Sequence, residues 1–133
     1  MNVLLDTHVW IWLMLEPQRL QHTAFELLSD PGTVLHLSPI SVWEAVLLVE
    51  RGRLAVDGPA RRWVESALAA TPHRDAPITR AVALLSREID VPHNDPADRF
   101  LAATAAVFDL TLVTADRHLL SGSGYRVLPA ASA

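Results

Sequence analysis

Short apolar runs and longer stretches with apolar residues at helical spacing take turns along the chain. Asn2 to Leu5 is a short apolar run ending at Asp6, which predicts a buried opening strand. Thr7 to Leu15 is apolar on all sides, Trp10 and Trp12 included, and Pro17 stops it, so the pattern predicts a buried helix. Leu20 to Leu28 again shows helical spacing; Asp30, Pro31 and Gly32 then make a turn into a second strand over Thr33 to Leu37. Pro39 at a helix start, the apolar series Ile40, Val42, Trp43, Val46, Leu47 and Val49, and Gly52 as a stop predict a third helix. Further amphipathic helices are expected over Ala60 to Ala70 and Thr79 to Glu88, with a brief edge strand within His73 to Ile78.

Asp95, Pro96 and Asp98 supply a capping residue, a first-turn proline and acids near the positive dipole end, so a helix running through Phe100 to Phe108 follows. Thr111 to Thr114 reads as a strand leading to Asp116, then a short helix from Arg117 to Leu120, a Gly-Ser-Gly turn and a last strand from Tyr125 to Leu128. Strands alternating with helices predict an α/β fold with a parallel sheet covered on both faces. A chain of 133 residues suits one domain, 1–133.

Composition narrows the class. Half of the residues are hydrophobic and 20% are charged, which favours a packed core over disorder. The absence of cysteine excludes disulfides, thiolate zinc sites and thiol nucleophiles, and suits a reducing compartment. The apolar run Val9 to Leu15 is too short to span a bilayer and no basic segment precedes it, so the expectation is a cytoplasmic protein with no membrane partner. A net charge of -4 argues against a broad basic surface for nucleic acid. Carboxylates gathered around cations would invert the local field, however, and let the arginines face a phosphate backbone.

The acids carry the candidate chemistry. Ligands bind outside the carboxyl ends of strands in open parallel sheets. Asp6 and Asp116 each follow a predicted strand, Asp98 stands in the first turn of a helix leaving the same rim, and Glu44 lies about one turn into the third helix. Four carboxylates from four segments are therefore expected in one pocket. Without cations they would repel until one protonated. Oxygen-only ligation suits Mg2+ or Mn2+, and the lack of cysteine and of a paired-histidine motif disfavours zinc. Such ions activate water for in-line attack on a phosphodiester. Each acid also has a plain structural role: Asp6, Asp98 and Asp116 as helix-start acids, and Glu44, between Trp43 and Ala45 on an apolar helix, as a side chain that reaches solvent or meets a positive partner. The cost of burying it unpaired favours the positive partner.

Four local strings add specificity: L-L-D-T-H-V-W at Leu4 to Trp10, S-P-I-S-V-W-E-A at Ser38 to Ala45, N-D-P-A-D-R-F-L-A-A-T-A at Asn94 to Ala105, and T-L-V-T-A-D at Thr111 to Asp116. In this order and spacing the chain resembles PIN-domain ribonucleases, specifically VapC-type toxins of bacterial toxin–antitoxin pairs, over nearly its whole length. The resemblance implies a three-layer α/β/α sandwich with a mostly parallel central sheet. It also implies an Mg2+- or Mn2+-dependent endoribonuclease acting on RNA, usually a homodimer, held inactive by a cognate antitoxin protein.

On that likeness Asp6, Glu44, Asp98 and Asp116 are the catalytic and metal-holding acids, and no other cofactor is implied. Asp95, from the D-P-x-D-R string, is a helix cap first and an outer carboxylate second. Thr7, Ser41 and Thr114 could hydrogen-bond the carboxylates or a metal-bound water, or serve only capping or local backbone bonding. His8 and His93 flank the acids and could touch a phosphate, while Arg99 and Arg117 are expected in ordinary salt bridges. The tryptophans are expected in the core, although His8 to Leu15 carries more apolar surface than one face needs, enough to meet a dimer mate or an antitoxin helix. Two other functions remain open: a non-catalytic PIN-like module that binds RNA or protein, and a phosphatase-type phosphotransferase with a strand-end nucleophile. The second lacks its expected D-x-D or D-x-x-x-T pattern after Leu5 and a downstream lysine.

Overall fold

Val3, Leu4 and Leu5 are fully buried, and a strand with no exposed face belongs in the middle of a covered parallel sheet. In the computed structural model, which describes residues 1–131, β1 (Asn2–Leu5) takes that place. Residues 132 and 133, included in the expected single domain, lie outside the described residues. The sheet is five-stranded and parallel throughout, in the order β3 (Arg74–Asp75), β2 (Val34–Leu37), β1, β4 (Thr111–Thr114), β5 (Arg126–Pro129). The chain starts at the centre, builds outward through β2 and β3, then returns to place β4 on the other side of β1. The direction of building thus reverses between β1 and β4, with Val3 opposite Thr111 and Leu5 opposite Val113. In an open α/β sheet that reversal opens a crevice at the carboxyl ends of the two strands.

Side-chain alternation along the strands separates two cores. Val3, Leu5, Leu35, Leu37 and Val113 pack on one face with Val9 and Trp10 of α1 (Thr7–Leu15), Leu28 of α2 (His22–Ser29), Ala45 of α3 (Pro39–Glu50) and Val64 of α4 (Ala60–Ala70). Leu4 and Leu112 face the other way, onto Leu101 and Ala102 of α6 (Pro96–Val107) and Leu119 of α7 (Arg117–Ser121); α5 (Arg80–Ser86) packs along α6. Helix, sheet and helix form the three layers of an α/β/α sandwich. Among the described residues no helix is long and apolar enough to cross a membrane.

The differences from expectation have local causes. A 3-10 turn (Pro17–Arg19) precedes the stretch expected to be helical from Leu20, and α2 starts only at His22. Only the front of α1 is buried: Val9, Trp10 and Ile11 are covered, while Leu15 is 45% exposed. Trp10 is core, yet Trp43 is 55% exposed, which corrects the assignment of all tryptophans to the interior. α5 is shorter than Thr79 to Glu88 at both ends. Thr79 is its cap, accepting the Val82 N–H at 3.2 Å, and beyond Ser86 the Arg99 guanidinium takes the carbonyls of Ser86 and Ile89, both at 2.7 Å.

Candidate active site

Asp6 stands where β1 gives way to α1. Its N–H still donates to Val113 in β4, at 3.0 Å, and its backbone is extended, as a cap position requires. The side chain does not cap the helix, however. One oxygen, Oδ2, accepts from the Thr114 hydroxyl at 2.6 Å, and that hydroxyl accepts the Asp116 N–H at 3.0 Å. A buried threonine at the end of β4 therefore ties both strand-end acids together across the crevice. Burial pushes the Asp6 carboxyl above the ordinary carboxylate range despite the Thr114 bond.

Asp116 is a cap as well as a cavity residue: its Oδ1 accepts the N–H groups of His118 and Leu119 at 2.8 and 3.2 Å. Its other oxygen makes no hydrogen bond among the described residues. Asp95 caps α6 through Oδ1, at 3.0 Å from the Ala97 N–H and 3.4 Å from that of Asp98, which leaves Asp98 free of capping work in the first turn. Burial first, then the charges of Asp6, Asp95, Asp116 and Glu44, raise the Asp98 carboxyl to about 8.

Glu44 has no cationic partner among the described residues, contrary to expectation. Its Oε1 accepts instead from the Thr7 hydroxyl at 2.5 Å, and Thr7 is bonded in turn to the buried Ser41 hydroxyl at 2.9 Å. A hydroxyl has one proton, which Thr7 gives to the carboxylate, so Ser41 is the donor to Thr7. Burial lifts the Glu44 carboxyl, the Thr7 bond lowers it, and Asp6 and Asp95 raise it further. Thr7, Ser41 and Thr114 thus all reach the acids directly or through one hydroxyl.

Asp6, Glu44, Asp95, Asp98 and Asp116 line one cavity of about 290 Å³, joined by His8, Trp12 and Ala115. A roomier groove of about 570 Å³ adjoins it, sharing His8, Glu44 and Asp95 and continuing over Ile40, Trp43, Leu47 and Phe100 to Arg51 and Arg53. The groove is the larger space, but the carboxylates gather in the smaller one. His8 is exposed at the boundary of the two. His93 lies close to the acids, with Nε2 3.0 Å from Asp98 Oδ2, and the ligand atoms of His93, Asp98 and Asp116 all fall within 4.8 Å of one another.

The two arginines differ from expectation. Arg99 makes no salt bridge among the described residues: it is buried and donates to the carbonyls of Ser86, Ile89, Val91 and His93. It pins the connector that carries His93 toward the acids. Arg117 is exposed and pairs with no carboxylate among the described residues. Sequence reasoning missed His118, which meets the His93 ring edge-on at 4.5 Å, and Trp12 at the cavity wall. Their spacing held a signal, since Trp12 is one helical turn from His8 and His118 two residues from Asp116.

Carboxylates lining one cavity, with no salt bridge to Glu44 among the described residues and with mutual repulsion adding to burial in lifting Asp98, fit a hard divalent cation.

The PIN domain family model matches residues 3–122. Ribonuclease VapC22 of Mycobacterium tuberculosis is 36% identical over 123 residues, spanning 90% of this chain and 91% of that protein. Among solved structures, FitAB bound to an IR36 DNA fragment is similar at a TM-score of 0.67 and 27% identity, covering 97% of this chain and 94% of that one. VapBC2 from Rickettsia felis, bound to a DNA fragment from its promoter, is similar in fold at a TM-score of 0.73 and 14% identity, with 98% and 99% covered.

Proposed function

The chain belongs to the PIN-domain family, as an endoribonuclease of the VapC type, and on that premise we propose that it hydrolyses RNA phosphodiester bonds using Mg2+ or Mn2+ held by Asp6, Glu44, Asp98 and Asp116. The observation that carries the reading is the meeting of those four acids, from four separate segments, in one cavity at the crevice between β1 and β4. A divalent cation bound there would supply a nucleophilic water near neutral pH and neutralise charge building on the attacked phosphate.

The protein's part is to keep the oxygens in place. Thr114 fixes Asp6 and the Asp116 backbone together, the Ser41–Thr7 relay fixes Glu44, and Asp95 holds the helix start that presents Asp98. Little of this frame need reorganise as the phosphate arrives, and fixed dipoles are where such sites gain most of their rate. His8, exposed at the cavity mouth, is placed to meet an RNA phosphate. The adjoining groove, with Ile40, Trp43, Leu47 and Phe100 on its walls, suits an apolar segment of a cognate antitoxin entering beside the acids. Exposed Phe25, Leu84 and Phe108 leave further apolar surface for a homodimer mate. The reading places the protein in the cytoplasm, with its RNA substrate.

The test is cleavage of structured RNA by purified protein. Internal cuts are expected with Mn2+ or Mg2+, falling to background when EDTA removes the cation. Metal-independent cleavage would rule out the mechanism, RNA binding without cutting in saturating Mn2+ would favour a non-catalytic module, and comparable release of phosphate from a phosphomonoester would favour a phosphatase.

A further inference from the structure

His93 sits in the connector between α5 and α6, two residues before Asp95, with its ring held by two contacts and its backbone by a third. The Asp95 N–H points at Nδ1 from 3.0 Å. The His118 ring packs against it edge-on, at 4.5 Å and 70°. Its own carbonyl is clamped by Arg99 at 3.1 Å. A backbone N–H can only donate, so Nδ1 carries the lone pair and the ring hydrogen is on Nε2. That nitrogen is buried and makes no well-directed hydrogen bond among the described residues, although Asp98 Oδ2 is 3.0 Å away, off the N–H axis.

A buried N–H with no aligned acceptor, 3.0 Å from a carboxylate oxygen, is an unfinished hydrogen bond. Since the ring is fixed, the carboxylate is the partner that turns to complete it, and bonds of this kind tighten when the site is loaded. The same tautomer decides a second question. By distance alone His93 could join Asp98 and Asp116 as a metal ligand, but a nitrogen that carries a hydrogen has no lone pair to offer a cation.

We propose that His93 is a positioning residue for Asp98: its Nε2–H donates to Oδ2 and fixes the carboxylate so that Oδ1 faces the cation, while His93 itself stays outside the coordination sphere. The proposal rests on the metal-dependent reading above, and its readouts are kept separate from RNA cleavage. Residues that orient metal ligands in this way cost about 10–100-fold in metal affinity or activity when removed.

The test compares His93→Phe, which keeps the flat ring against His118 but loses both nitrogens, with His93→Gln, which keeps an N–H donor near the Nε2 position. Mn2+ binding is read from the loss of the free-ion electron paramagnetic resonance signal. His93→Phe is expected to weaken Mn2+ binding about tenfold or more, and His93→Gln to recover most of the loss. Wild-type protein, which needs no variant to fold, supplies two further checks. Its His93 15N resonances are expected to show hydrogen on Nε2 and none on Nδ1, and echo-modulation spectra of bound Mn2+ to show no imidazole nitrogen coupling. Wild-type affinity in His93→Phe, no recovery in His93→Gln, hydrogen on Nδ1, or a coupled imidazole nitrogen would each overturn the proposal. If RNA is never cut, the metal-binding comparison still reads, so the two failures are distinguishable.

Discussion

Asp6→Asn is expected to lose more than about 10²-fold in RNA cleavage, beyond the range seen when only a ligand's supporting residue is removed, while melting no lower than wild type in chelator at pH 8. The two halves belong together. Asp6 is buried to 7% exposure and its carboxylate is disfavoured there mainly by desolvation. Asparagine has nearly the same shape and keeps a carbonyl to accept the Thr114 hydroxyl, so the tie across the crevice survives. What disappears is a charge that the fold tolerates badly and that the proposed cation requires. Rate constants in Mn2+ together with melting curves in EDTA check this. Parallel loss of activity and stability would make Asp6 a structural residue instead.

The second large effect is on stability. Cation-free protein should melt lower as pH rises from about 5 to 8, by roughly 5 °C or more. Asp98 titrates near 3.8 when unfolded and at about 8 in the fold. Between those values the native state holds a proton that the unfolded state has released, so stability is full below the unfolded value and drains away as pH climbs through the folded one. Asp6 and Glu44, both raised, push the same way. Millimolar Mg2+ should reverse the trend, because it binds the ionised, folded site. Asp98→Asn should flatten the slope in EDTA. Differential scanning calorimetry at three pH values decides it, and a chelated protein that gains stability across this window would sink the electrostatic account.

The strands that frame the site were legible because each ends in an acid that breaks the apolar run: Leu5 to Asp6, and Thr114 to Asp116. β3 was legible only as a region, since Arg74 and Asp75 are exposed edge residues with no apolar signature of their own. Helix ends were less readable where tertiary bonds decide them. Arg99, thirteen residues after Ser86, claims the carbonyls at the end of α5, and nothing local marks that. The same long reach hid the role of Arg99 itself. Beside Asp98 in sequence it reads as half of an ion pair, but helical geometry turns neighbouring residues to different sides, and it faces the connector.

Among the acids, sequence alone could not separate cap from site. Asp95 and Asp116 cap helices while Asp6, at a cap position, does not. The separation depends on Thr114, which draws Asp6 away from its helix from 108 residues along the chain. Glu44 was recognisable as costly to bury and Thr7 and Ser41 as possible partners of the carboxylates, but not the relay they form to Glu44, because both are also ordinary first-turn residues. His93 offered only proximity to the D-P-A-D string; its tautomer follows from a backbone contact that no pattern encodes.

Everything in the functional account depends on a cation being held by the four acids. A crystal grown or soaked in Mn2+, with anomalous differences collected at the manganese edge, measures that directly. The account predicts a peak in the cavity between Asp6 and Asp98, with carboxylate oxygens of the acidic set around it and the His93 nitrogens outside its coordination sphere. A peak bound elsewhere on the surface, or no peak at Mn2+ concentrations that support cleavage, would contradict it.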